Sequence, residues 1–221
     1  MEYLTSEKIL EKREELKKVF LSSLSWAARS EETMLFIKDS IGPDARILDI
    51  GCGGGDFLKM LKDKGYKNIS GFDIDNYVKC DDVRDCVKTG DLNFSKMPFE
   101  DDSFDLIAAF QVMEHLENPF HFEREAVRLL KPAGALILAI PSGQSLWSRL
   151  NYFVSNNVTG YDMVNNHISF LPADVFKKIF LKDFKIVRAR YNKGFAPYLP
   201  WLKLPAHKLL SKQVCYFLKR R

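Results

Sequence analysis

The stretch Ile47–Leu58, ILDIGCGGGDFL, reads as a buried strand that breaks into a glycine loop and restarts as a helix. Ile47, Leu48 and Ile50 are apolar and two of them β-branched, which suits a strand. Gly51, Gly53, Gly54 and Gly55 permit positive φ and close approach of backbone to a ligand. From Asp56 the apolar residues Phe57, Leu58 and Leu61 recur at helical spacing, so a helix begins there with its free N–H groups facing the loop. Such a turn suits a nucleotide-type ligand; tight strand-to-helix packing is its other use.

A second strand, within KNISGFDID (Lys67–Asp75), ends in carboxylates. Asp73 lies 24 residues after Asp49, close to the ~20-residue offset at which an acidic residue meets a ribose. Capping the turn that follows is its alternative use. The dinucleotide pattern G-x-G-x-x-G, counted from Gly51, puts Asp56 where the third glycine belongs. A carboxylate there repels a pyrophosphate but not a cationic ligand without phosphates.

Asp49, Gly51, Gly53 and Gly55 resemble the first motif of the class I S-adenosylmethionine-dependent methyltransferases. The stretch Gly90–Ser142, GDLNFSKMPFEDDSFDLIAAFQVMEHLENPFHFEREAVRLLKPAGALILAIPS, is similar throughout to the later motifs of that family's small-molecule branch. The resemblance covers roughly residues 45–142 and continues more loosely to about 190. It implies a Rossmann-like, doubly wound α/β fold with a mostly parallel sheet and helices on both faces. It implies S-adenosylmethionine as cofactor, S-adenosylhomocysteine as product, and direct in-line methyl transfer to a small-molecule acceptor, lipid-linked or saccharide. The glycine loop, with Cys52 inside it, then passes the methionine part of the cofactor. Asp73 binds the ribose with Ile74 beside it at the end of the second strand, Asp91 and Leu92 flank the adenine, and Phe110 and Gln111 stand at the end of the fourth strand, all as cofactor-site residues. Asp91 is equally a turn residue after Gly90. Ala133 in KPAG replaces the family's usual glycine, which requires a negative φ there.

Periodicity gives strands at Arg46–Ile50, Asn68–Ile74, Cys86–Asp91, Phe104–Phe110, Ala135–Ile140 and Phe184–Tyr191, with helices between most of them. Such repetition builds a parallel sheet covered on both faces, whose ligands sit at the carboxyl ends of the strands. With 221 residues and 46% hydrophobic content, the chain suits one domain. Its parts are a helical cap over 1–40, a core over 41–192 that includes a substrate lid at 142–171, and a basic tail over 193–221. In the cap, Leu10, Leu16, Val19 and Phe20 share one helical face.

Two histidines are candidate catalytic groups. His115 follows the fourth strand in QVMEHLENP, where it contacts substrate or holds the loop. His167 precedes the helix of NNHISFLPADVFKKIF, where it takes a proton from an acceptor hydroxyl or anchors the loop. No metal is expected: the four cysteines form no C-x-x-C pair, and Asp81, Asp82 and Asp85 read as a solvated face. The lid's Leu146, Trp147, Leu150, Tyr152, Phe153 and Val154 line an apolar pocket or, for most of them, pack on the core.

From Gly194 onward there are six Lys or Arg and no Asp or Glu. Pro197, Pro200 and Pro205 argue against an interior strand. Ala206, Leu209, Leu210, Val214, Phe217 and Leu218 recur at helical spacing, which predicts a basic amphipathic helix. It docks on the protein's own core, lies on an anionic membrane surface, or meets nucleic-acid phosphates. The N-terminus is charged without a signal-peptide core and no apolar run approaches 18 residues, which predicts a cytoplasmic protein, membrane-associated if the tail binds lipid. No RNA-binding module is visible. The competing readings are an RNA methyltransferase, an inactive S-adenosylmethionine-binding regulator and a nicotinamide dehydrogenase; the oligomeric state is not legible.

Overall fold

Short β-branched runs separated by amphipathic segments set the architecture. The computed structural model describes residues 25–143, 145–158, 161, 167–192, 194–196 and 199–221. Among the described residues two helices come first, α1 (Trp26–Arg29) and α2 (Glu31–Ser40), then β1 (Ile47–Ile50), α3 (Asp56–Asp63), β2 (Ile69–Asp73), α4 (Asp81–Arg84) and β3 (Val87–Thr89). β4 (Phe104–Phe110) leads through a 3₁₀ turn, Met113–His115, to α5 (Pro119–Leu129) and β5 (Leu130–Pro141). The remainder is α6 (Leu146–Ser155), α7 (Ala173–Phe180), β6 (Phe184–Tyr191), β7 (Gly194–Ala196), β8 (Leu199–Leu204) and β9 (Gln213–Arg220). The part of the cap that carries Leu10, Leu16, Val19 and Phe20 lies outside the described residues.

Seven of these strands form one sheet in the order β3-β2-β1-β4-β5-β9-β6. β1 to β5 run parallel to one another, and β9 is antiparallel to both β5 and β6. Alternation along each strand splits the apolar side chains between two faces. On one face Leu48, Ile50, Ile107, Leu136, Leu138 and Tyr216 pack with Phe122 and Ala126 of α5 and Phe176, Ile179 and Phe180 of α7. On the other, Ile47, Leu106, Ile137 and Phe217 pack with Phe36 and Ile37 of α2 and Phe57, Leu58 and Leu61 of α3. The sheet is therefore covered on both sides, as a parallel sheet requires.

Three expectations need correction. Gln213–Arg220 is not a basic helix but a sheet strand, so the sheet extends beyond residue 192 and the helix that was to meet a membrane is not formed there. Its apolar run Val214–Leu218 is buried on both faces, a pattern that fits helix and interior strand alike over so short a length. The prolines that argued against a strand all precede it. Ala133 has φ +60°, the left-handed region, not the negative value that alanine prefers. Five of the lid's apolar side chains do not pack on the core: in α6, Leu146 and Leu150 are each 46% exposed, Tyr152 55%, Phe153 89% and Val154 83%.

Candidate active site

In the strand order β2-β1-β4-β5 the connections leave β1 and β4 in opposite directions, which opens a crevice at their carboxyl ends. The loop Gly51–Gly55 lines it from the β1 side. Gly51 has φ +70°, and a Cβ there would lie 2.4 Å from Cγ2 of Val112, so the loop and the segment after β4 touch across the crevice. Gly53 has φ +51° and no described atom within 4 Å of where its Cβ would be, so its backbone stands open. Gly55, at φ +80°, is the N-cap of α3.

Asp73, at the end of β2, is buried. Its Oδ2 accepts the Gly53 N–H at 2.8 Å and its Oδ1 the Ile74 N–H at 2.7 Å. These bonds orient a carboxylate, which has about four acceptor sites, without exhausting it. Asp49 is buried beside it; burial first, and the Asp73 charge second, hold the Asp49 carboxyl well above the usual carboxylate range. Asp91 makes the turn after β3, with Oδ1 accepting from Asn93 N at 2.9 Å and Asn93 Nδ2 at 3.1 Å, and Leu92 is buried beneath it. Asn93 Oδ1 accepts the Glu117 N–H at 2.7 Å and so ties this loop to the one after β4. Cys52 is buried within the glycine loop. Phe110 packs edge-on against Phe57, and Gln111, at φ +58°, accepts from Gln213 Nε2 at 2.7 Å.

Open left-handed glycine backbone beside an oriented acidic group suits a cationic amino-acid and ribose ligand such as S-adenosylmethionine. Asp73 and the 51–55 loop are the residues that would hold it.

The other wall of the crevice holds a cluster that the sequence shows only in part. The Ile168 and Ser169 N–H groups donate to the Glu114 carbonyl at 2.8 and 3.0 Å, and Ser169 Oγ donates to the Leu116 carbonyl. This cross-tie brings His167 to His115, with ring centroids 4.7 Å apart. Tyr161 lies 5.3 Å from His167 and donates its hydroxyl to the Ser169 carbonyl at 3.0 Å. Glu114 is 1% exposed, and neither carboxylate oxygen has a hydrogen-bond partner among the described residues. Burial pushes its carboxyl up to about 8. Burial, then the Glu114 charge, raises the Tyr161 hydroxyl. Glu114 and Tyr161 were not among the expected site residues. The dipeptide Glu114-His115 directly after a strand is a usable signal, whereas Tyr161 has none.

A cavity of about 680 Å³ opens near the end of β5. Ile140, Phe170, Phe176 and Tyr216 line it together with Arg149, Lys177 and Lys208. Phe170 also closes on Gly143, three residues on from His167.

Residues 22–187 match a family model described as a methyltransferase domain. The chain is 26% identical over 148 residues to cycloartenol-C-24-methyltransferase 1 of Oryza sativa subsp. japonica, covering 62% of this chain and 40% of that protein. It is 31% identical over 102 residues to 27-O-demethylrifamycin SV methyltransferase of Amycolatopsis mediterranei, covering 42% of this chain and 37% of that one. The chain thus spans about 40% of the length of these curated relatives. A solved S-adenosylmethionine-dependent methyltransferase from Archaeoglobus fulgidus shares the fold with a TM-score of 0.62 at 18% identity, covering 95% of this chain and 99% of that one.

Proposed function

The chain belongs to the methyltransferase domain family, and from that premise we propose that it methylates a hydroxyl of a small-molecule acceptor with an apolar body and an anionic end, such as a lipid-linked one. S-adenosylmethionine, when bound at the glycine loop, supplies a sulfonium-activated methyl group. The chain's own residues do the rest. Asp73 and the 51–55 backbone orient the donor, and the segment after β4 presents the acceptor. An imidazole nitrogen of the His115–His167 pair takes the acceptor's proton, a contribution of about 10²- to 10⁴-fold. Positioning and exclusion of water supply the larger part, which is why no nucleophilic residue is needed.

The observation that carries this reading is the Glu114, His115 and His167 cluster, built on the segment after β4 whose Val112 meets Gly51 of the glycine loop. The cavity's apolar walls and its three cationic side chains support the amphiphilic acceptor. The two relatives named above, called a cycloartenol-C-24-methyltransferase and a 27-O-demethylrifamycin SV methyltransferase, support a small-molecule acceptor.

Incubating the protein with cell extract and methyl-labelled cofactor should label a lipophilic, anionic product; label confined to protein or RNA would defeat this reading. In a separate calorimetric titration, Asp73→Ala should weaken S-adenosylmethionine binding at least about ten-fold, the loss of one or two charge-assisted hydrogen bonds. Unchanged affinity would remove the ribose role.

A further inference from the structure

We propose that Glu114, His115 and His167 bind one divalent transition-metal ion, of the zinc or manganese kind, at the acceptor side of the crevice. One ligand atom from each of the three lies within 4.8 Å of the other two. Two imidazoles and a carboxylate form a donor set that suits Zn²⁺ and Mn²⁺, and three protein ligands leave a coordination position open to solvent or substrate. Donors bonded to one ion at about 2.1 Å sit about 3–4 Å apart. Closing the cluster from 4.8 Å therefore takes a shift of about 1–2 Å, shared by rotation of two part-buried imidazoles.

A second observation points to a cation independently of that spacing. The Glu114 carboxylate is 1% exposed and aimed into the cluster, and neither oxygen has a hydrogen-bond partner among the described residues. A buried carboxylate without donors is costly unless something positive meets it. The frame is also fixed on both sides. Glu114 and His115 share the 3₁₀ turn, and the Ile168 and Ser169 amides hold the His167 segment to the Glu114 carbonyl. The acidic run at Asp81, Asp82 and Asp85 offers no such frame: it is exposed, and Asp81 is paired with Arg84 at 3.2 Å.

The use of the ion rests on the methyltransferase reading, whereas its binding does not. An acceptor hydroxyl in the open position has its pKa lowered by the ion. The O–H bond breaks and the proton passes to solvent. The retained electron pair forms the new O–C bond as the C–S bond breaks, and that bond's electrons return to sulfur. The ion then takes over the activation otherwise left to a histidine side chain.

The test uses the whole protein without S-adenosylmethionine. Metal-free protein titrated with Co²⁺ should bind one equivalent and show a visible absorption of low-symmetry nitrogen and oxygen coordination, displaced by Zn²⁺. Zn²⁺ should protect His115 and His167 from diethyl pyrocarbonate, as read by mass spectrometry. Exposed His207 should react equally with or without it. Glu114→Gln and His167→Ala should each bind Co²⁺ at least about ten-fold more weakly. The wild-type protection readout stands even where a variant fails to fold. A Co²⁺ spectrum that stays that of the aqueous ion, a thiolate charge-transfer band from Cys80 or Cys86, or histidine modification that Zn²⁺ does not slow overturns the proposal. Each of those results leaves the calorimetric test of cofactor binding untouched.

Discussion

Ala133 has a positive φ, +60°, in a position where an L side chain crowds its own backbone. The left-handed region costs a non-glycine residue about 1–2 kcal/mol, and glycine's extra freedom when unfolded returns part of that. Ala133→Gly should therefore stabilise the protein by about 0.5–1 kcal/mol in urea unfolding, with an unchanged slope. A loss of stability would mean that the methyl group packs usefully. At this scale the sequence is most legible where one residue type answers one backbone demand. The positive φ of Gly51, Gly53 and Gly55 is written in the glycine run itself. The Glu114–His167 neighbourhood is not, because 53 positions separate the two residues and only the cross-tie from Ile168 and Ser169 brings them together.

Among the elements, α5 anchors the loop that precedes β4. Arg128 donates to Glu125 at 2.6 and 2.8 Å, to Asp101 at 2.6 Å, and to the carbonyls of Met97 and Phe99 at 3.0 and 2.9 Å. Burial raises the Glu125 carboxyl, but the Arg128 guanidinium and the Met97 amide outweigh it and hold it below the usual range. Arg128→Ala leaves that carboxylate buried without its partner, so a destabilisation of about 3 kcal/mol is expected by chemical denaturation. A change under about 1 kcal/mol would place the clamp among ordinary surface pairs.

Glu123, on the same helix, behaves in the opposite way. Burial, then Asp183, pushes it up to about 7 against the pull of Lys182, whose Nζ lies 3.0 Å away. Because the folded value exceeds the ordinary 4.5, the native state binds more protons than the unfolded one between the two. The stability from this group is complete below about 4.5 and is lost as pH rises through about 7. Glu123→Gln should reduce the fall in Tm from pH 5 to pH 8, with its gain confined to the alkaline side. An equal gain at both pH values would assign the effect to packing instead.

β4 and β6 have the bounds that periodicity gives, whereas β9 does not. VCYFL is too short and too uniformly apolar for a period of 2 to be told from one of 3.6.

For the molecule as a whole, β9 decides whether the sheet is complete. It lies between β5 and β6, with Val214, Cys215, Phe217 and Leu218 buried, and burial pushes the Cys215 thiol up to about 12. Ending the chain after Lys212 should abolish cooperative thermal unfolding and soluble expression, because an interior strand and both its ladders are lost. A truncated protein that keeps its Tm would show the segment to be a surface appendage. The doubly wound sheet was readable from strand and helix alternation. The place of β9 was not, because that place is set by the unpaired edges of β5 and β6, which no local pattern records.

The position of β9 also sets a timetable. During synthesis β5 is finished at Pro141, but its neighbour begins only at Gln213. At about 5–20 residues per second the ribosome takes roughly 4–14 s to make the chain between them. For that interval the growing protein displays an apolar parallel sheet with an open edge, the kind of surface that recruits another strand. The nascent chain is thus most exposed to aggregation, and most dependent on chaperones, in the seconds before its last sheet strand leaves the exit tunnel.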